Sequence, residues 1–105
     1  ANIADGASMI ATAAEVLTGI VTATPTTTRS IQLPTGANLD LATEWAIGEA
    51  FDFSVITLAA FALTITVNTG VTIVGSAATA ATSGASARFR VRKTAADTFI
   101  VYRIG

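Results

Sequence analysis

Apolar and polar residues alternate with a period of two along much of the chain's second half. Residues 63–68 alternate leucine, isoleucine and valine with threonine and asparagine. Residues 86–93 place Phe89 and Val91 on one side and three arginines on the other. Because successive side chains of a strand point to opposite faces of a sheet, this pattern predicts β-strands with one buried face.

Other short stretches carry the same signal, and glycine, proline or asparagine separates them. The predicted strands are residues 19–24, 29–33, 51–58, 63–68, 71–74, 86–93 and 98–104. Residues 35–46 are the best helix candidate, with Thr35 or Asn38 available as the cap. The alanine-rich residues 9–17 offer a second, shorter one. This arrangement predicts a mainly β protein: an antiparallel β-sandwich or jelly-roll-like domain with one short α-helix.

A transmembrane helix is the alternative for residues 53–74, which are apolar and uncharged. Three features favour strands instead. Asn68, Thr69 and Gly70 interrupt the stretch with turn residues, β-branched residues outnumber leucines, and the period is two rather than 3.6. No basic stretch precedes an apolar segment near residue 1, so we expect no signal peptide and no membrane partner.

Charged residues are scarce. They make up 12% of the 105 residues, against about 25% in typical soluble domains, while 51% of residues are hydrophobic, 22 are alanine and 18 are threonine. One domain of this length has a large surface to cover with few charges, so we expect part of it to be buried against other protein. We divide the chain into an N-terminal arm, residues 1–12, and a single β-sandwich domain, residues 13–105.

The chain has few of the side chains that enzymes commonly use for catalysis. The chain has no histidine and no cysteine, which excludes the usual nucleophile–base pairs and the commonest metal ligands. Lys93, the only lysine, is expected on a polar strand face, and the glycine spacing fits no phosphate-binding loop. The clustered carboxylates are expected on a solvated helix face and the loop after it: Asp40, Glu44, Glu49 and Asp52. We therefore expect no enzyme, no cofactor and no metal site, although nothing in the sequence tests for calcium.

Four of the six basic residues lie within six positions: Arg88, Arg90, Arg92 and Lys93. Alternation aims the three arginines the same way. They can meet an acidic partner surface, keep an exposed strand soluble, or pair with the acidic segment 40–52 within or between subunits. A net charge of −1, with no aromatic residues between the arginines on that face, argues against nucleic acid.

The closing stretch, residues 98–104, is apolar on both faces. Phe99 and Val101 share one side, while Ile100, Tyr102 and Ile104 share the other. A strand that is apolar on both sides in so small a protein points to a subunit contact. We predict an interface that mixes core and subunit contacts and is oriented by charge, at Arg88, Arg90, Arg92, Phe99, Val101, Tyr102 and Ile104.

From residue 51 onwards the sequence resembles the carboxyl-terminal part of small virion proteins of tailed phages. The similarity lies in FDFSVITL at 51–58, GVTIVG at 70–75, SGASARFRVRKT at 83–94 and VYRIG at 101–105. Upstream, SIQLPTGANLD at 30–40 is also similar, so the resemblance covers roughly residues 13–105. One departure is the run of small residues at 76–87, which lengthens a loop.

The resemblance implies a trimeric β-sandwich on the outer surface of a phage head, made in the host cytoplasm. The expected function is that of a capsid decoration (cement) protein: a homotrimer that contacts the major capsid protein and stabilises the shell, with residues 1–12 as an anchoring arm. Two alternatives stay open, a head or tail fibre module and a carbohydrate-binding module on a host-facing surface. Exposed aromatic residues would mark the latter, and Trp45 and Tyr102 are the candidates.

Overall fold

The computed structural model describes residues 1–105. The chain forms eight strands and two helices. The strands are β1 (Met9–Ile10), β2 (Ile20–Ala23), β3 (Arg29–Gln32), β4 (Ala50–Thr57), β5 (Leu63–Thr66), β6 (Val71–Val74), β7 (Ser86–Ala95) and β8 (Thr98–Arg103). The helices are α1 (Ala13–Leu17) and α2 (Gly36–Thr43).

The strands make two sheets, one of three strands in the order β1-β3-β5 and one of five in the order β2-β4-β7-β8-β6. The predicted mainly β, two-sheet sandwich is confirmed. The predicted antiparallel pairing is wrong for most strands. The pairs β1–β3, β2–β4, β3–β5 and β6–β8 run parallel, and only β4–β7 and β7–β8 run antiparallel.

Three of the four parallel pairs, β1–β3, β2–β4 and β3–β5, arise because the chain crosses from one sheet to the other after each of its first five strands. Each strand from β3 to β5 then lies beside the strand two places earlier. The turn residues at 25–28 and 68–70 serve these crossings rather than hairpins, and the one tight hairpin joins β7 to β8. Turn residues mark where a strand ends, but not which sheet the chain enters next.

Residues 53–74 form most of β4 and all of β5 and β6, which confirms strands over a helix in this stretch. No helix of the protein has the length and apolar character needed to cross a bilayer.

Both helices begin at a threonine cap. The Thr12 side chain accepts the Glu15 amide, and the Glu15 carboxylate accepts the Thr12 amide in return. Thr35 accepts the Asn38 amide, so of the two predicted caps, Thr35 and Asn38, it is Thr35 that caps α2. The helix ends at Thr43, earlier than predicted, because Glu44 adopts a left-handed conformation. The chain forms two helices, where one was predicted.

The core lies between the sheets and is built from the alternating positions. Phe53, Val55, Phe89 and Val91 are almost completely buried, as their period of two requires. Three rings from neighbouring strands pack in a row: Phe51, Phe53 and Phe89, with the Phe53 and Phe89 ring centroids 5.4 Å apart. Burying rings of this size supplies much of the hydrophobic stabilisation.

Residues 1–12 lie against their own chain. The Ile3 amide donates to the Thr22 carbonyl at 2.8 Å, and Thr22 donates in turn to Ala1. Farther along, Arg29 holds Asp5 at 3.0 Å, and that hydrogen bond keeps the pKa of Asp5 below its ordinary value. The core includes Ile3, Met9 and Ala11. The segment is thus packed as part of the domain, and the proposed boundary at residue 12 cuts through the core.

One tight contact joins three parts of the fold. A Cβ built on Gly36, at the start of α2, would lie 2.0 Å from the Asp97 carbonyl oxygen in the β7–β8 turn. A Cβ on Gly70, where the chain enters β6, would lie 2.4 Å from the same oxygen. Both obstacles are backbone, so neither can swing aside, and these two positions require glycine.

We predict that Gly36→Ala destabilises the protein by at least about 3 kcal/mol, the upper end of the cost of overpacking. Urea unfolding followed by circular dichroism measures the change. Gly6→Ala is the matched control, because a Cβ at Gly6 meets nothing within 4 Å, and it should stay within about 0.5 kcal/mol of the parent. Equal stability of the two variants would contradict the contact.

Candidate functional site

The predicted basic stripe lies on the side of the five-stranded sheet that faces away from the core, here called the outer sheet face. Arg88, Arg90 and Arg92 alternate along β7 with buried residues and are all exposed. Each sits directly across from a residue of β4, in the pairs Ser54–Arg88, Asp52–Arg90 and Ala50–Arg92. The alternation therefore placed the three arginines correctly.

Asp52 holds two of these arginines. Its carboxylate accepts hydrogen bonds from Arg90 Nε at 2.7 Å and Arg90 Nη2 at 3.1 Å, and from Arg88 Nη2 at 3.0 Å. The hydrogen bond from Arg90 lowers the pKa of Asp52, and the same contact raises the pKa of Arg90. The proposed ion pairing between the stripe and the acidic segment thus forms within one chain.

Arg92 differs from its two neighbours. It lies between Ala50 on β4 and Ile100 on β8, and it has no acidic partner within the chain. An exposed guanidinium without a carboxylate keeps all five donors for an outside acceptor or for water. Of the three predicted arginines, Arg92 is therefore the one whose charge is available to another molecule.

Lys93 corrects the prediction of a polar strand face. It is 8% exposed and points to the same side as Phe89 and Val91. Its ammonium group donates to the Asp40 carboxylate and, at 2.8 Å, to the Trp45 carbonyl. Asp40 also accepts the Asp97 amide, so that it is not a free carboxylate on a solvated helix face.

The Lys93 hydrogen bond is the main cause that lowers the pKa of Asp40, and the Asp97 amide adds to it. The inward orientation of Lys93 could have been predicted from the sequence, because Lys93 lies an even number of positions from Phe89 and Val91 along β7. Its ion-pair partner could not be predicted, because no sequence pattern relates Lys93 to Asp40, which lies 53 positions away.

The closing strand divides as its alternation predicts. Phe99 and Val101 are completely buried in the chain's own core, which leaves neither of them surface for a second subunit. Ile100 and Tyr102 point outward and are half-buried, while Ile104, just beyond β8, is 44% exposed. Of the four apolar interface candidates, Tyr102 and Ile104 thus keep surface for another molecule.

The outer sheet face is therefore charged on one half and apolar on the other. Tyr102 lies between Arg90 on β7 and Val74 on β6, and Val74 is 53% exposed. The Tyr102 hydroxyl makes no hydrogen bond within the chain. Tyrosine and arginine are among the residue types enriched at the energetic centres of protein interfaces.

A second apolar surface was missed in the sequence. A groove of about 490 Å³ runs between α1 and α2, and none of the twelve residues that line it is charged. Leu41 and Ile10 flank it and are 78% and 57% exposed. Leu41 lies two residues after the buried Leu39 in α2, so helical periodicity places it on the opposite side of the helix.

The side chains offer no obvious metal centre, because no three or more Asp or Glu carboxylates come together in a geometry that could hold an ion. Of the two aromatic candidates for sugar binding, Trp45 packs edge-on against Phe51, with ring centroids 5.0 Å apart. Tyr102 is the other, on the outer sheet face.

We predict that stability falls as the pH drops below about 3.9, the ordinary aspartate pKa. The folded state holds Asp40 and Asp52 at lowered pKa values, so it binds fewer protons than the unfolded chain in this range. Their contribution is complete above the unfolded pKa and is lost as the pH falls through the folded values. Urea midpoints measured from pH 7 to pH 2.5 test this.

In the same titration, Asp40→Asn should flatten the acid limb, while Glu44→Gln, at an exposed neighbouring carboxylate without an ion pair, should leave its shape unchanged. An acid limb identical in all three proteins would show that Asp40 does not contribute to it.

Comparison with known proteins adds no relative to this description. No protein-family model matches the chain, and no curated protein or solved structure matches it significantly. Its function has to be inferred from its own residues.

Proposed function

We propose that this protein is a structural component of a virion: a capsid decoration protein that binds copies of itself and the major capsid protein on the outer surface of a phage head. The observation that carries the proposal is the apolar half of the outer sheet face, where Val74, Ile100, Tyr102 and Ile104 meet solvent beside Arg92. A sheet with one face on the core normally presents polar residues on the other.

The scarcity of charge supports the same proposal. With 12% charged residues, and with Asp5, Asp40 and Asp52 all paired within the chain, few charges remain to keep an isolated monomer dispersed. Burial against other subunits removes that requirement, because a subunit in a shell exposes only part of its surface. The resemblance of residues 13–105 to tailed-phage virion proteins points the same way.

A decoration protein needs two separate contacts, one with its own copies and one with the shell. The outer sheet face and the groove between α1 and α2 share no residue, so one can be occupied without blocking the other. We assign the contact within a homotrimer to Tyr102 and Ile104 on the outer sheet face, and the contact with the major capsid protein to the groove. Many such weak contacts repeated around a shell add to a strong attachment.

We limit the proposed anchoring role of residues 1–12 to the exposed residues of that segment. Ile3, Met9 and Ala11 belong to the core, so deleting the whole segment would damage the fold as well as any anchor. Within the segment, exposed residues such as Ala4, Ala7, Ser8 and Ile10 are positions from which it can contact a neighbour without leaving its own domain.

Two other functions fit a self-associating β-protein. A head or tail fibre module would use the same surfaces at far fewer copies per particle. A carbohydrate-binding module would need an exposed aromatic platform, and the packing of Trp45 against Phe51 weakens that choice. A glycan array on which the purified protein binds nothing would remove it.

The number of copies per particle tests the proposal directly. We expect hundreds of copies on a purified virion, counted by quantitative mass spectrometry, and crosslinks to the major capsid protein from the groove between α1 and α2. A few dozen copies or fewer, with crosslinks to a tail protein, would instead support the fibre function. Absence from the particle would overturn both.

We predict that Tyr102→Asp abolishes the contact within the homotrimer and so lowers the mass of the assembly, because it places a charge in the apolar half of the outer sheet face. Light scattering coupled to size-exclusion chromatography measures the mass against 10.6 kDa for one chain. Ser86→Asp, which adds the same charge at an exposed position on the outer face of β7, is the matched control and should not change it. An unchanged oligomer in Tyr102→Asp would exclude Tyr102 from the contact.

A further inference from the structure

The edge strands of the two sheets differ in whether another backbone segment covers their outer side. The outer edge of β2 is covered by residues 1–3, through hydrogen bonds to Thr22. The outer edge of β5 is covered by residues 77–79, with Ile65 donating to Ala77 and Thr79 donating to Leu63 at 2.8 and 2.9 Å. The strand β1 is only two residues long. That leaves β6, the last strand of the five-stranded sheet.

The free edge of β6 presents unpaired backbone groups. Phe99 on β8 donates to the Gly70 carbonyl, which fixes the register of the parallel pair. Alternate residues of a strand in a parallel pair bond to the partner, so Thr72 and Val74 face β8 and Ile73 faces away. Neither the amide nor the carbonyl of Ile73 has a partner among the hydrogen bonds outside this pair.

The side chains on β6 do nothing to protect this edge. Its sequence is Val-Thr-Ile-Val, without a charge, a proline or a bulge. Those are the devices by which soluble proteins prevent one sheet edge from pairing with another. Because the edges of β2 and β5 are covered by backbone, β6 is the exception among the edge strands of four residues.

We propose that two copies of this chain pair through β6, antiparallel and about a two-fold axis, so that their five-stranded sheets join into one sheet of ten strands. With Ile73 opposite Ile73 of the second copy, each donates its free amide to the other's carbonyl. Thr72 then lies beside Val74 of the second copy, and the same pair recurs across the axis.

A second copy fits this edge for three reasons. The free donor and acceptor on Ile73 are self-complementary, as an isologous contact requires. Val74 is 53% exposed, so its pairing with Thr72 removes apolar surface from water. The nearest cation, Arg103, is held by the carbonyl groups of Ser76, Ala78 and Gly105, and the arginines of β7 lie two strands from the axis on each side.

This contact goes beyond the proposed function, because it does not depend on where the protein works. Edge pairing extends a sheet in its own plane and leaves both faces free. A contact through Tyr102 on the outer sheet face can therefore coexist with it, and the β6 pair would then join one homotrimer to the next.

The first test removes the free donor. Ile73→Pro eliminates an amide that takes no part in the β6–β8 pair, so the fold should persist while dimerisation weakens by about tenfold or more. Ile73→Val keeps the amide and is the matched control. Analytical ultracentrifugation across a range of concentrations gives the dissociation constants. Association that is equal in the parent and in Ile73→Pro would overturn the β6 contact without touching the Tyr102 contact.

The second test reads the register and does not depend on the proline variant folding. The chain has no cysteine, so Thr72→Cys and Val74→Cys each introduce a single thiol. On oxidation, an equal mixture of the two should give far more disulfide-linked dimer than either variant alone, because residue 72 faces residue 74 of the second copy. Ser86→Cys mixed with Thr72→Cys is the control and should not crosslink.

A mixture that crosslinks no better than the control would overturn the antiparallel pair. If β6 instead accepts an extended strand from another protein, Ile73→Pro will not change the mass of the purified protein, and residues 72 and 74 will not crosslink. That result overturns the pairing of two copies.

Discussion

The crowded contact around the β7–β8 turn is the constraint on which the rest of the structure depends. The start of α2, the entry to β6 and the hairpin between β7 and β8 meet there, with glycine at 36 and 70 because the Asp97 carbonyl leaves no room for a Cβ. Asp40 reinforces the contact by accepting both the Asp97 amide and the Lys93 ammonium. The helix α2 and the segment that enters β6 are thereby fixed to the β7–β8 end of the five-stranded sheet.

The same contact explains why a lysine is tolerated inside a small core. A buried charge is costly unless it is paired and its donors are satisfied. Lys93 has both an acidic partner and the Trp45 carbonyl, and the use of that carbonyl coincides with the early end of α2. The charge of Lys93 is thus paired within the chain, as are the charges of Asp5 and Asp52. Arg92 is one of the few cations without an ion pair, and it can bind an acidic group on another molecule.

The sequence predicted well what depends on local alternation. The inward positions of Phe53, Phe89 and Val91 and the outward arginines follow from parity alone, and the pairing of the basic stripe with the acidic segment was among the alternatives. The crossings between sheets, the incorporation of residues 1–12 and the partner of Lys93 depend on contacts between distant residues. A single sequence carries no pattern for such contacts, and the groove between α1 and α2 exists only because two separate helices meet.

The place of β8 in the sheet has a consequence for how the chain folds as it is made. This strand lies between β7 and β6. The two earlier strands do not pair with each other, so β6 cannot join the sheet until β8 is present. During translation the five-stranded sheet cannot close until residues 98–103 have left the ribosome, and β6 meanwhile has both of its edges bare. Non-local and parallel pairing of this kind slows folding and lengthens the exposure of uncovered strands. The newly made chain is therefore most prone to pair with other chains just before its five-stranded sheet is complete.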